Sequence, residues 1–261
     1  MPRKREMFER TDVPEPSPLR NVIGVLVAVA AVAATIMVVV FAWNRANLES
    51  HLGDNALEEA VHDLSQYGVA SPPAGRSGTG DAVYCTLLLT TSSIDAQGAS
   101  LEDARILAIN ATKGSAVLVN LPVDLALTVD GSPTTLSELC VKEGYASCVV
   151  PLGRAAGLRF SNGVVVSTDD VLGSAAQLAG TDPGELLDSA EAFISRIRTD
   201  MDASGLLELA EHLSQVDMSS LASVDVPLVA ESVTDEEGNV STTDRQVVDE
   251  GELGVLIGLF A

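Results

Sequence analysis

From Val22 to Trp43 the chain reads VIGVLVAVAAVAATIMVVVFAW, without one charged residue. About 20 apolar residues cross the hydrocarbon core of a bilayer as a helix, so this stretch predicts a transmembrane span, with Trp43 at an interfacial position. The apolar core of a cleaved secretory signal is shorter, about 7–15 residues, and no convincing cleavage site follows Trp43. Arg3, Lys4, Arg5, Arg10 and Arg20 precede the span, and Arg45 alone follows it before an acidic region begins. Basic flanks stay cytoplasmic. The pattern therefore predicts a single-pass protein of the cell membrane, its N-terminus cytoplasmic and its bulk extracytoplasmic.

Beyond the span the period changes. Leu48, Leu52, Leu57, Val61 and Leu64 recur at helical spacing over residues 44–66, which predicts an amphipathic stalk helix. Residues 71–81, SPPAGRSGTGD, are rich in Gly, Pro and Ser and read as a linker. The expected organisation is a cytoplasmic tail (1–20), a transmembrane helix (21–43), a stalk and linker (44–81) and an extracytoplasmic domain (82–261).

Within that domain, 83–91 is a buried-strand pattern. The runs 104–112 and 115–122 meet at Lys113-Gly114 and predict a hairpin. Helices are expected over 132–144, with Ser132 or Thr134 as cap, and over 150–158. A strand is expected over 161–169. Further helices are expected from Asp169 to about Leu178, from Asp182-Pro183 through residue 199, and over 204–216. The tail 224–248 reads as strands around a turn at 236–239, before a last helix. Strands mixed with helices predict an α/β domain with a central mixed sheet flanked by helices.

Composition narrows the function. The chain has 261 residues, 46% hydrophobic and only 3% aromatic, with a net charge of −22. Aliphatic residues suffice for a core, which excludes an acidic disordered chain. The charge excludes a nucleic-acid partner, since no basic surface displaces counterions from phosphate. Cys140 and Cys148 enclose a short loop, and an extracytoplasmic compartment permits a disulfide between them. Cys85 lies in an apolar run and reads as a buried small hydrophobe. No CxxC pair exists, and His51, His62 and His212 are scattered with solvent-exposed structural roles expected. Asp200 and Asp202 have calcium-loop spacing without the Gly and Glu that such a loop needs.

Three stretches together resemble the LytR-CpsA-Psr family. They are 104–129 (ARILAINATKGSAVLVNLPVDLALTV), 152–180 (LGRAAGLRFSNGVVVSTDDVLGSAAQLAG) and 194–213 (ISRIRTDMDASGLLELAEHL). The first is similar to a hairpin ending in Leu/Ile-Pro-Arg-Asp, the second to a strand and helix ending in Gly-Gly, and the third to an Arg-x-x-Arg-Gln segment. The resemblance implies a membrane-anchored envelope protein with one exterior α/β domain. It also implies a relationship to enzymes that transfer glycopolymers from polyprenyl-pyrophosphate to peptidoglycan, and an apolar tunnel beside the sheet lined by helices around 169–194.

The departures from that pattern fall on the charged positions. Val123 stands where the family has its catalytic Arg, although Asp124 is retained. Gly205 and Glu208 fall where the Arg signature is expected. Arg gives a bidentate, permanently charged fork for phosphate that Val or Gly cannot replace, and Glu adds repulsion. What remains as candidate catalytic machinery is Asp124, Arg196 and Arg198. Arg105, Arg196 and Arg198 are the candidates for holding a lipid pyrophosphate, and Glu102, Asp103 and Asp124 for holding Mg²⁺. The expectation is a degenerate relative that binds a polyprenyl-phosphate lipid or a cell-envelope protein. The alternatives are an active, divergent Mg-dependent phosphotransferase and a plain extracytoplasmic interaction module.

Overall fold

The computed structural model describes residues 52–94, 98–167, 197–216, 221–234 and 240–261. The predicted span at 22–43, His51, the helix expected from Asp169, and Arg196 lie outside these. So do the turn at 236–239 and the helix expected from Asp182-Pro183 as far as residue 196. Among the described residues no helix is long and apolar enough to cross a membrane.

The chain runs α1 (Asn55–Ser65), β1 (Val83–Thr91), β2 (Leu101–Asn110), β3 (Ser115–Leu121), β4 (Ala126–Val129), β5 (Ser132–Thr135) and α2 (Leu136–Glu143). A 3₁₀ turn (Tyr145–Cys148) leads into α3 (Val149–Ala156), β6 (Asn162–Ser167), β7 (Ile197–Thr199) and α4 (Ala203–Ser214). The last elements are β8 (Ala222–Asp225), β9 (Leu228–Thr234), β10 (Val240–Val248) and α5 (Glu250–Leu256). A six-stranded sheet has the order β7-β6-β1-β2-β3-β8. Its β1-β6 and β3-β8 pairs are parallel and the others antiparallel, so the sheet is mixed as expected.

Strand alternation divides the core. Leu87, Leu89, Ala104, Ile106, Val119, Leu121 and Val165 face one side, where residues of α1, α2, α3 and α5 cover them. Leu107, Ile109, Ala116 and Leu118 face the other side, against Leu213 and Val216 at the end of α4. Burying each such Leu or Ile stabilises by about 1.5–3 kcal/mol. The β2-β3 hairpin closes where the sequence placed it: Asn110 pairs with Ser115, and Gly114 supplies the positive φ of +63°.

Four expectations are corrected. The helix read as a stalk is part of the domain, because Leu57 and Leu64 are 1% exposed and belong to the main core. A Cβ on Gly153 of α3 would lie 2.5 Å from Leu64 Cδ1, so the absent side chain lets α1 and α3 approach closely. The linker, too, is bound. Ser77 and Ala261 exchange backbone hydrogen bonds (3.1 and 3.0 Å), and Thr79 N–H donates to Leu259 O at 2.9 Å. Residues 197–199 form a strand rather than a helix end, with Ile197 and Thr199 buried on alternate positions.

Finally, residues 132–135 pair with β4 as β5, and the following helix is capped by Thr135 instead of Ser132 or Thr134. Thr135 and Glu138 form a reciprocal capping box. Thr135→Ala should therefore lower stability by about 0.5–2 kcal/mol, read as a denaturant midpoint. Ser132→Ala, at an exposed strand position, should leave the midpoint unchanged.

Asp81 fastens the former linker to the hairpin. Its Oδ2 lies 2.8 Å from Lys113 Nζ and accepts from Asn110 Nδ2 at 2.8 Å. Lys113 and Asn110 hold this carboxyl below its ordinary value of 3.8. A depressed carboxyl stabilises fully above its unfolded pKa, and the contribution is lost as pH falls through the folded one. The stability difference between the native chain and Asp81→Asn should accordingly be present at neutral pH and shrink in acid titration below about pH 4.

Candidate functional site

In open α/β sheets, ligands bind outside the carboxyl ends of parallel strands. Here that place is the end of β1 and β6, around Thr91 and Ser167, where both chains leave the sheet. The start of β2 lies alongside, with Asp103 opposite Thr90. A register shift at Thr90/Thr91 makes Glu102 the extra, exposed residue of a bulge.

Arg105 pairs with Leu88 on β1 and with Asn120 on β3. It points to the α4 side, as do Leu107 and Leu118. Its Nη2 lies 2.7 Å from Asp103 Oδ2, two residues along the same strand face. Its Nε is buried without a hydrogen-bond partner. Arg198 pairs with Val165, which belongs to the opposite, α1-covered face. Its Nη1 lies 3.6 Å from Asp54 Oδ2, and its Nε donates to Ile94 O at 3.1 Å.

The two described arginines expected to share a pyrophosphate thus lie on opposite faces of one sheet, each beside a carboxylate. Arg196, the third, lies outside the described residues.

Asp54 is the member of this region that the sequence reading missed. Its Oδ1 caps α1 by accepting from Ala56 N at 3.0 Å and Leu57 N at 3.1 Å. Its Oδ2 accepts from Tyr145 Oη at 2.9 Å and faces Arg198. Its backbone N–H donates to Thr199 O at 2.8 Å. One residue therefore joins α1, β7 and the 3₁₀ turn. The available signal was an Asp directly before a helical stripe.

The expected cation site is not assembled. Asp103 faces Arg105, Glu102 sits in the bulge, and Asp124 is exposed in the turn after β3. Among the described residues no group of three or more His, Cys, Asp or Glu side chains could hold a metal ion. Glu102, Asp103 and Asp124, the donors expected for Mg²⁺, form no such group and do not fit the ion. Val123 packs partly buried against the main core, its carbonyl accepting from Ser137 N at 2.8 Å.

Other sequence candidates take structural places. Gly205 N donates to the Asp202 cap at 2.8 Å, and Glu208 is exposed. His212 is not on an open polar face: it stacks on Tyr84, centroids 4.2 Å apart, with Nε2 3.8 Å from Glu208 Oε1. Burial raises the Asp200 carboxyl above its usual range, against the Gly163 N–H that donates to it at 2.7 Å. Cys140 and Cys148, expected as a covalent staple, are two free thiols buried in the main core. Cys148 Sγ lies 3.8 Å from both Leu136 O and Gly144 O.

No family model and no curated protein matches the sequence. Several solved structures are similar to it, among them proteins of the LytR-CpsA-Psr family. One is yvhJ from Bacillus subtilis, described as a transcriptional regulator: 10% identity, TM-score 0.49, covering 69% of this chain and 95% of that one. TagV of B. subtilis gives 9% identity and a TM-score of 0.46, covering 69% and 96%. A structure of TagT bound to LI-WTA gives 10% and 0.43, covering 72% and 96%.

Proposed function

We propose that the chain is a membrane-tethered, extracytoplasmic relative of the LytR-CpsA-Psr proteins in which the phosphotransfer site has been dismantled. It acts by binding, either to a polyprenyl-phosphate lipid or to a cell-envelope protein. The anchor rests on the apolar run from Val22 to Trp43 and its basic flank. The family reading rests on the three ordered stretches of sequence.

The loss of transfer chemistry is supported by one observation above all: Arg105 and Arg198 lie on opposite faces of the sheet and are paired with Asp103 and Asp54. Charge that develops on a transferring phosphoryl group must be met by several cationic donors aimed at the same oxygens. Removing even one donor of an oxyanion site costs about 10²–10³ in rate.

The test uses full-length protein extracted in mild detergent. With a polyprenyl-pyrophosphate substrate and Mg²⁺, turnover is expected at the level of a protein-free control. Turnover above control that Asp124→Ala abolishes would replace this reading with the divergent phosphotransferase. Mass spectrometry of co-purified lipid, against an unrelated single-span control, then separates the two ligands. Enriched carrier lipid identifies the first, and its absence directs attention to protein partners.

A further inference from the structure

We propose that Tyr67, Val69, Arg154 and Arg159 form a docking surface for an acidic segment of a second protein. Of the eight Lys and Arg side chains among the described residues, five lie within 3.6 Å of a carboxylate: Arg105, Lys113, Lys142, Arg198 and Arg245. The other three are Arg76, Arg154 and Arg159. Arg154 and Arg159 make no ion pair among the described residues, and both reach Tyr67. Arg154 Cζ lies 5.0 Å from the centre of the Tyr67 ring, within the range of a cation–π contact. Arg159 Nε donates to Tyr67 O at 2.7 Å. Both arginines are exposed, and so are Tyr67 and Val69, at 42% and 44%.

The two chain segments that carry the patch are held together. α3 ends at Gly157, in the left-handed region with φ +62°. Ala70 N–H donates to Gly157 O at 2.8 Å, and a Cβ on Gly157 would lie 2.5 Å from that of Ala70. The surface is thus set before a partner arrives, which lowers the ordering cost of binding. A cation in the last turn of α3 also suits the helix dipole, but this accounts for Arg154 alone. Tyr and Arg are over-represented where protein interfaces concentrate their affinity. Guanidinium groups take carboxylates through paired N–H donors, and Arg clusters recognise acidic motifs. Lipid fits less well, because a basic surface on an anionic membrane gathers about four to eight Lys or Arg. The surface gives the proposed binding role a partner of stated charge, and it rests on that role.

The experiment uses the full chain in an uncharged detergent at about 0.15 M salt, where charges more than about 8 Å away are screened and the net negative charge weighs less. The probe is a fluorescein-labelled peptide of alternating Glu and Gly, read by anisotropy. Saturable binding is expected, and none to the alternating Gln-Gly peptide. Arg154→Gln and Arg159→Gln should each weaken it about threefold, and the double variant about tenfold. Arg154→Lys keeps the charge and should keep most of the binding, and Lys142→Gln should change nothing. Should Arg159→Gln fail to fold, for want of its bond to Tyr67 O, Arg154→Gln alone decides. Unchanged binding in the Arg→Gln variants, equal binding of the Gln-Gly peptide, or no saturation would overturn the proposal. So would tighter binding to polygalacturonate, which assigns the surface to an acidic polysaccharide, or to phosphatidylglycerol vesicles, which assigns it to lipid. Self-association that the double variant loses would make the occupant a second copy and overturn it too. Turnover of polyprenyl-pyrophosphate would sink the binding-only role without moving any of these readouts, so the two failures are distinguishable.

Discussion

Leu57→Ala should destabilise the domain by about 2–5 kcal/mol, the range for emptying a well-packed Leu site. The Tm should fall by several degrees in a single cooperative transition. Leu57 is 1% exposed and packs in the same core as Leu87, Leu152 and Val165. Its Cδ2 also lies 3.5 Å from where a Cβ of Gly163 would be, which places it over β6. An independent stalk would respond differently: its helix would fray while the transition of the domain stayed in place. Calorimetry on the native chain and Leu57→Ala separates the two cases, and an unmoved main transition would return α1 to the stalk reading.

Asp54→Ala carries the other large expectation, a loss of about 2–4 kcal/mol. The helix cap accounts for roughly 1 kcal/mol of it. The remainder comes from removing the acceptor of Tyr145 Oη and the carboxylate that faces Arg198 in a mostly buried setting, where losing one partner of an ion pair is costly. Exposure of 21% at Arg198 keeps the figure below that of a fully buried pair. Asp54→Asn keeps a capping oxygen and should recover about the cap's share. If Asp54→Asn and Asp54→Ala were equally stable, the cap would contribute nothing; if Asp54→Asn matched the native chain, the ion pair would contribute nothing.

Local signals in the sequence were sufficient for the hairpin, for β1 and β6, and for the helices at 149–156 and 203–214. Each announces itself by a period and a turn residue next to it. The stalk was misread because a Leu stripe has the same period whether it meets a second copy or a sheet. Gly- and Pro-rich composition reports that residues 71–81 lack regular structure. It does not report that Ser77 finds Ala261 across the length of the domain. The β4-β5 pair is four residues a side, too short for alternation to register.

The candidate site shows the same limit more sharply. Arg105 and Arg198 are both mid-strand, and only non-local register, Leu88 opposite Arg105 and Val165 opposite Arg198, assigns them to different faces. The substitution of the motif arginine by Val123 needed no structure to be seen. That Asp103 and Asp54 face Arg105 and Arg198 did.

The chain joins this domain at the sheet's edge. Leu52 pairs in parallel with Thr199, Gly53 N–H donates to Met201 O at 3.1 Å, and Asp54 N–H donates to Thr199 O. A pull transmitted from the N-terminal side therefore meets several backbone bonds lying across its path, which must give together before α1 can be drawn out. Tension applied from the N-terminal side would be passed through β7 into the body of the sheet, so the seam at the edge would act as a strain relief for the helix behind it.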